Sequence, residues 1–122
     1  MAQPFNVKKL LPLTEPMYYT LLALAHPQHG YGIMQTVEKM SNGRVKVGAG
    51  TLYAVLARFL KHGVIERKLE ESSSDDNDRR KTYNITKQGN MLLHAEYQRI
   101  LSMLNDGKEI IEEYENNEVD KN

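Results

Sequence analysis

The sequence predicts a mainly α-helical chain of the α+β class, with one β-hairpin placed before the last and longest helix. Apolar residues recur at helical spacing in four segments, and the fourth continues for longer than a helix of a small domain usually does. Two short runs, at 64–69 and 81–85, flank a polar stretch, which is typical of a hairpin. At 122 residues the chain has room for one domain and an appended helix.

Domain boundaries and location follow from the same patterns. We expect an N-terminal extension at 1–12, a folded domain at 13–86, a C-terminal helix at 87–116 and a disordered tail at 117–122. No long apolar run follows the N-terminal charges or occurs elsewhere, so we expect neither a signal peptide nor a membrane span. The absence of cysteine excludes disulfides and thiolate zinc sites and favours a cytoplasmic protein.

The first helix has a clear start and a clear stop. Thr14 can cap a helix in which Glu15 lies near the positive end and Pro16 stands where a missing N–H group is harmless. Pro27 ends this helix after about Ala25. The residues that it is expected to bury are Met17, Leu21 and Leu24, with help from Tyr18 and Leu22.

The second helix is short and leads into an extended stretch. It opens at 29–32 and closes in the turn-forming segment 41–43. Charged and apolar residues then alternate at 44–47, which is typical of a brief extended segment. The apolar residues at helical spacing on this helix are Ile33, Val37 and Met40.

The third helix, from about 50 to 62, separates an apolar stripe from a face that carries no acid. Gly63 is its expected C-terminal stop. The stripe expected to be buried consists of Leu52, Leu56, Phe59 and Leu60. The opposite face consists of Thr51, Tyr53, Ala54, Ala57, Arg58 and Lys61.

The last helix, capped by Thr86, carries apolar residues at alternating steps of four and three, the pattern of a coiled-coil seam. Such a stripe has to be buried, so we expect this helix to pair with a second copy of the chain; packing on its own domain is the alternative for Leu92, Leu93 and Leu101. Gly107 interrupts the stripe at a cost of about 1 kcal/mol relative to alanine, which indicates a point of close approach or bending. The predicted dimer interface consists of Leu93, Tyr97, Ile100, Leu104, Gly107, Ile111 and Tyr114.

Three helices followed by a hairpin is the order of a winged helix-turn-helix, in which the third helix enters the major groove of DNA and the hairpin lies over the adjacent backbone. Hydroxyl groups and positive charges on that helix can reach phosphates or base edges. Three basic residues at the start of the second strand stand where a wing would meet phosphate. The residues expected to meet DNA are Thr51, Tyr53, Arg58 and Lys61 on the helix and Arg79, Arg80 and Lys81 on the wing.

A net charge of zero hides an asymmetry between the two halves of the chain. Residues 1–65 hold seven Lys and Arg against two acids, a net charge of +5, whereas 66–122 hold nine against fourteen, a net charge of −5. This split is expected if the first half meets a polyanion, although an ordinary solvated surface is the alternative. Phosphate repels the acids at 75–78, so we expect the basic cluster at 79–81, rather than the wing tip, to touch DNA.

Four separated motifs occur in a fixed order: LTEPMYY at 13–19, HGYGI at 29–33, GAGTLY at 48–53 and RRKTYNIT at 79–86. Together they resemble the PadR family of bacterial transcriptional regulators over roughly residues 13–115. The resemblance implies a winged helix-turn-helix dimer that represses genes and releases operator DNA on meeting an effector. It also implies that Tyr31 faces DNA, together with Thr51, Tyr53 and the cluster at 79–81.

The resemblance also bears on the effector. Short members of the family are similar to one another in having an apolar channel at the dimer interface, and Ile100 and Leu104 are its central positions here. The single C-terminal helix is similar to this short type, so a small hydrophobic effector is the expectation and a phenolic one is not assumed. Two-fold pairing would place the two third helices about 34–36 Å apart, which predicts an inverted-repeat operator of double-stranded DNA.

Two other classes of protein are alternatives to a DNA-binding regulator. An enzyme is disfavoured, because His26 and His29 flank a proline with no nearby acid to complete a site, and the glycines at 48–50 lack the lysine of a phosphate-binding loop. We therefore expect no cofactor and no metal. The stronger alternative is a winged-helix module that binds proteins and not DNA, for which acids on the third helix would be the sign.

Overall fold

The computed structural model describes residues 5–69 and 81–120 of the chain. A 3₁₀ turn at Val7–Lys9 precedes the first helix. The helices are α1 (Glu15–Ala23), α2 (Gly30–Met40), α3 (Ala49–Lys61) and α4 (Lys87–Asp120), and the strands are β1 (Gln28–His29), β2 (Ile65–Leu69) and β3 (Lys81–Ile85). Three helices, a hairpin and a long last helix confirm the predicted mainly α fold class.

The helices α1, α2 and α3 enclose one apolar core. At the start of α1, the Thr14 hydroxyl accepts a hydrogen bond from the Met17 N–H at 3.3 Å, which is the predicted cap. The helix ends at Ala23, two residues before the predicted end at Ala25. The apolar residues that the core buries include Met17, Leu21, Leu24, Ile33, Val37, Leu52, Leu56, Phe59, Val64, Ile65 and Leu92.

Three side chains are buried differently from the prediction. Met40 is exposed, because it is the last residue of α2 and lies next to a turn in which Asn42 adopts a left-handed conformation. On α3, Val55 is buried and Leu60 only partly so. The buried stripe of 52, 55, 56 and 59 shares three positions with the predicted one and has Val55 in place of Leu60.

The segment 44–47 alternates in burial without joining the sheet. Val45 and Val47 are buried, whereas Arg44 and Lys46 are exposed, as the alternation predicted. No strand is formed at these residues; instead the Ser41 hydroxyl accepts a hydrogen bond from the Val45 N–H at 3.0 Å and donates one to the Val45 carbonyl at 3.2 Å. A side chain therefore satisfies the backbone here in place of a neighbouring strand.

Among the described residues the sheet has three strands, in the order β1-β3-β2, and all pairs are antiparallel. In the hairpin, Ile65 pairs with Ile85 and Arg67 pairs with Tyr83. The additional strand β1 pairs Gln28 with Tyr83, and it was not predicted because two residues are too short to show an alternation. This strand attaches the wing to the start of α2.

Hydrogen bonds join the α3–β2 turn to the start of α4. The Thr86 hydroxyl accepts a hydrogen bond from the Gly89 N–H at 3.1 Å and donates one to the Gly63 carbonyl at 2.7 Å, and the Thr86 N–H binds the Val64 carbonyl at 3.1 Å. A Cβ at position 89 would lie 2.0 Å from that Val64 carbonyl oxygen. Glycine at this position allows the backbone of the helix to approach the turn.

A buried carboxylate attaches the N-terminal segment to α4. Glu96 is fully buried, and its Oε2 accepts a hydrogen bond from the Leu13 N–H at 2.6 Å. Its Oε1 pairs with Nε of Arg99, so the buried charge has a partner. Leu10 and Leu13 are buried as well. The end of the segment expected to be an extension, 1–12, therefore packs on the domain.

The substitution Glu96→Gln is expected to lower the free energy of unfolding by about 1–2 kcal/mol, because the amide weakens a buried hydrogen bond and loses the ion pair with Arg99. Chemical denaturation measures the effect. Glu109→Gln is the matched control, since that side chain is exposed on the same helix. Equal stability of the two variants would contradict an anchoring role for Glu96.

The first part of α4 packs on the domain, and the rest projects beyond it. Leu92 and Glu96 are fully buried, whereas all side chains described from Lys108 to Asn117 are exposed. The helix reaches Asp120, four residues past the predicted end at Asn116, so part of the segment expected to be a disordered tail is helical. The projecting half carries apolar residues that no described part of the single chain covers.

Candidate nucleic-acid interface

The exposed face of α3 is the one that the sequence predicted. Thr51, Tyr53, Arg58 and Lys61 are all exposed, and so are the small residues Ala54 and Ala57. The opposite face is buried in the core, which fixes the rotation of the helix about its axis. No residue of α3 is acidic, and both of its basic residues lie in the last turn. This face can accommodate a polyanion without charge repulsion.

The N-terminus of α3 is exposed and has no side-chain cap. The N-cap residue is Gly48. Because glycine has no side chain, no side-chain hydrogen bond caps the first turn. Gly48, Ala49 and Gly50 are exposed, and a Cβ added at either glycine would meet nothing within 4 Å. The first N–H groups of the helix are therefore accessible at the positive end of its dipole, an arrangement that suits phosphate.

Tyr53 has a packing role in addition to its exposed position. Its side chain is 52% exposed, yet its hydroxyl oxygen would lie 2.8 Å from a Cβ at position 30. The ring therefore covers the start of α2, where Gly30 leaves room for it. Because part of the side chain is held in this way, the remainder is presented from α3 in a restricted orientation.

Tyr31 follows directly after this contact. It is 68% exposed at the second residue of α2 and is next to the glycine that Tyr53 covers. The structure thus places Tyr31 and Tyr53 on neighbouring elements of the surface, and their contact with DNA stays a prediction.

The base of the wing is described, whereas its tip is not. Lys81 is exposed at the start of β3, opposite Leu69 of β2. Arg79 and Arg80, together with the acids of the predicted wing tip, lie outside the described residues. Arg67 and Lys68 of β2 are exposed basic residues that the sequence analysis did not assign to the interface. Alternation from the buried Ile65 is the signal that could have identified Arg67.

Arg44 is exposed and basic but is engaged within the chain. Its guanidinium donates hydrogen bonds to Glu15 Oε1 at 2.8 Å and to the Tyr19 hydroxyl at 2.7 Å, and it lies 5.6 Å from the centroid of the Tyr19 ring. The hydrogen bond to Glu15, together with that to Tyr19, raises the pKa of Arg44. These contacts connect the α2–α3 turn to the start of α1 and hold α3 in place.

The predicted seam on α4 is exposed over most of its length. Leu93 packs against the domain core and Gly107 is half-buried, as the alternative of internal packing allowed for Leu93. The other predicted positions point into solvent in the single chain. They are Tyr97, Ile100, Leu104, Ile111 and Tyr114, with exposed fractions from 38% to 66%.

The projecting half of α4 has two further exposed apolar residues that were not predicted. Met103 and Ile110 follow Glu96 at successive steps of seven, so they continue the face that packs on the domain into the projecting half of α4. A contiguous apolar surface of this kind on a helix marks a site of interaction.

Two cavities lie between α1 and α4. One, of about 310 Å³, is lined by Tyr18, Leu22, Leu93, His94, Tyr97 and Gln98. The other, of about 330 Å³, includes Ile100 among its lining residues, with Tyr19, Glu96 and Arg99. Leu104, the second residue predicted to line an effector pocket, lines neither cavity. Burial raises the pKa of Tyr18, which lines both, and nearby Glu96 adds to the rise.

Metal ligands and membrane-spanning helices are not found in the described parts of the chain. Within 5–69 and 81–120, no group of three or more His, Asp or Glu side chains could hold a metal ion. The helices in those same ranges are all too short or too polar to cross a bilayer.

Three helices, a wing and an exposed basic third helix define a winged helix-turn-helix protein. Residues 20–95 match the model of the Transcriptional regulator PadR-like family. The chain belongs to this family of transcriptional regulators. A protein of Lysinibacillus sphaericus described as uncharacterized is 33% identical over 94 residues, which cover 72% of this chain and 84% of that protein.

Solved structures share the fold. A PadR family transcription regulator from Clostridium difficile R20291 superposes with a TM-score of 0.67 at 19% identity, covering 80% of this chain and 99% of that one. Bacillus subtilis PadR, solved in complex with operator DNA, has a TM-score of 0.60 at 20% identity and covers 69% of this chain, which spans 47% of that protein. The predicted family and winged-helix fold are confirmed.

Proposed function

We propose that this chain is a homodimeric repressor of transcription in the cytoplasm that binds an inverted-repeat operator through α3 and the wing and is released by an effector. The observation that carries the proposal is the outer face of α3, which is exposed, basic and free of acids, and whose N-terminus is open. Bacillus subtilis PadR has been solved with operator DNA, which supports double-stranded DNA as the partner here.

Dimerisation is supported by the surface of α4. An isolated chain would leave Ile100, Leu104, Ile111 and Tyr114 in water along one side of a projecting helix. Burying such a stripe against the same stripe of a second copy removes apolar area from water on both chains. The resulting two-fold axis would relate the two α3 helices, and an operator with inverted half-sites follows from that symmetry.

Effector release is supported by the position of the two cavities. They lie between α1 of the winged domain and α4; Leu93 and Tyr97 of the predicted seam line one of them, and Ile100 lines the other. A small hydrophobic compound bound there would contact both α1 of the winged domain and α4, the helix proposed to pair the two chains. If the compound binds the DNA-free arrangement more tightly than the DNA-bound one, it shifts the equilibrium towards the DNA-free arrangement. No cofactor and no catalytic step is part of the proposal.

The direct test is fluorescence anisotropy with promoter DNA adjacent to the gene, measured at several salt concentrations against a scrambled duplex. We expect tighter binding to the promoter, with affinity falling as salt rises for both duplexes. Failure to bind the promoter and a library of genomic fragments would overturn the proposal and favour the protein-binding module instead.

Charge removal on α3 provides a sharper version of this test. Lys61→Ala and Arg58→Ala are each expected to reduce the slope of log affinity against log salt by about 0.9 for every phosphate that the variant no longer neutralises. Lys108→Ala removes the same charge from an exposed site on the projecting half of α4 and should leave the slope unchanged. Equal reductions in all three variants would indicate a general charge effect and not a DNA-binding face.

A further inference from the structure

One face of the wing packs on the helices, whereas the other face is turned away from them. Side chains alternate along β2, so Arg67 lies on the same face as the buried Ile65, whereas Lys68 lies on the opposite face. The face of Ile65 and Tyr83 is the one that packs on the helices, since both residues belong to the core. Arg67 therefore continues the inner face of the wing outward, to where it leaves the core and becomes exposed.

The Arg67 side chain lies beside its cross-strand partner. Arg67 and Tyr83 are directly paired in the antiparallel register, so their side chains stand next to each other on one face of the sheet. Tyr83 is itself buried and belongs to β3, which has β1 on its other side. A long, exposed side chain thus lies next to a fixed tyrosine whose hydroxyl can accept a hydrogen bond from the guanidinium.

Tyr83 is also connected to the exposed face of α3. It pairs with Gln28 of β1, and β1 leads directly into Gly30, the residue that Tyr53 of α3 covers. Burial raises the pKa of Tyr83, the neighbouring Tyr53 adds to the rise, and the Arg67 guanidinium opposes it. Arg67, Tyr83 and Tyr53 therefore follow one another from the inner face of the wing to the exposed side of α3.

We infer that Arg67 binds a phosphate of the operator backbone on the inner face of the wing, and that the Tyr83 hydroxyl positions it for this contact by accepting a hydrogen bond. The inference rests on the proposed function. A guanidinium has five N–H donors, so a bond to Tyr83 leaves donors for a phosphate oxygen. Phosphate, and not a base edge, is the expected ligand, because Arg67 lies on the wing, the element that follows the backbone, and not on the groove-entering helix.

The outer face of the same strand supplies a matched control. Glu66 lies on that face and accepts a hydrogen bond from the Asn84 amide at 2.8 Å, and Lys68 is on the same side, paired in register with Thr82. Lys68→Ala removes one positive charge from the residue next to Arg67, on the face turned away from α3. Both variants change net charge equally and both sites are exposed, so folding should survive in each.

The experiment is fluorescence anisotropy of the full chain with promoter DNA over a range of salt concentrations. Arg67→Ala is expected to weaken binding by roughly tenfold or more and to reduce the salt slope by about 0.9 per half-site. Lys68→Ala is expected to leave both quantities unchanged. If the wild-type chain binds and the two variants behave alike, the assignment of Arg67 is overturned while the proposed function stands; if the wild type binds no DNA, both are overturned.

Positioning by Tyr83 is tested with Tyr83→Phe, which removes the hydroxyl and keeps the ring. We expect a smaller, several-fold loss of affinity at unchanged thermal stability, and no additional loss when Tyr83→Phe is combined with Arg67→Ala. Additive losses in the double variant would overturn the positioning role.

Discussion

Replacing Ile100 with aspartate is expected to dissociate the proposed dimer into monomers. Ile100 lies at the centre of the exposed apolar stripe on α4, where the helix leaves the domain. A two-fold interface would bury two unpaired carboxylates, at a cost of about 3 kcal/mol or more each, which weakens association by roughly ten-thousand-fold. Sedimentation or light scattering at micromolar concentration measures the change.

Ser102→Asp is the control for this substitution. Ser102 is exposed on the side of α4 opposite the seam, so the same charge on the same helix should leave the dimer intact. The monomeric Ile100→Asp variant should keep its helical circular dichroism, because Ile100 is 38% exposed in the single chain and contributes little to the domain core. A dimer that survives Ile100→Asp would place the interface elsewhere.

Dimer loss also has a consequence for DNA binding. A monomer presents one α3 helix, so it loses the second half-site and the effective concentration that pairing provides. Ile100→Asp should therefore lower operator affinity although it lies outside the DNA-binding surface. Lys61→Ala, in contrast, should lower affinity while the dimer persists. The two variants separate the function of α4 from that of α3.

Gly89→Ala is the second change with a large expected effect. A Cβ at this position would lie 2.0 Å from the Val64 carbonyl oxygen and 2.6 Å from Cγ1 of Ile85. The carbonyl belongs to the backbone and already accepts the Thr86 N–H, so it cannot move without breaking the junction. We expect the free energy of unfolding to fall by about 2–3 kcal/mol, at the upper end for overpacking.

Thermal melting should register this loss as a fall in Tm of about 10 °C for a domain of this size. Gly50→Ala is the control, because a Cβ there would meet nothing within 4 Å and alanine is the better helix former, by up to about 1 kcal/mol. Replacing glycine with alanine should thus destabilise the protein in the first turn of α4 and stabilise it in the first turn of α3. An unchanged Tm for Gly89→Ala would show that α4 can move away from the turn at little cost.

The two halves of α4 explain why these predictions concern different properties. The first half is part of the domain: Gly89 touches the α3–β2 turn, Leu92 is in the core and Glu96 holds the Leu13 N–H. The second half projects and is available for a partner. A change in how the projecting half packs can therefore reach the domain through one rigid helix, which is a physical basis for effector release in the proposed repressor.

Periodicity alone determined much of this protein. Apolar residues on a helix or strand that packs on one side must recur with the period of that element, so the pattern predicted three helices, a hairpin and a long last helix. The same reasoning identified the exposed face of α3 around Tyr53 and the solvent-facing stripe through Ile100 and Leu104, because a face that is not buried shows directly in the sequence. The predicted effector position Leu104 stays a prediction, since it lines neither cavity between α1 and α4.

Contacts between residues far apart in the chain were decided only by the tertiary structure. Glu96 looks like one more polar residue of a helix, yet it is buried because it meets the N–H of Leu13, 83 positions away. Strand β1 exists because β3 offers it a free edge, and Arg67 lies beside Tyr83 because β2 and β3 pair in that register. Periodicity reports which side of an element is covered, whereas the identity of the covering group depends on how the elements are brought together in space.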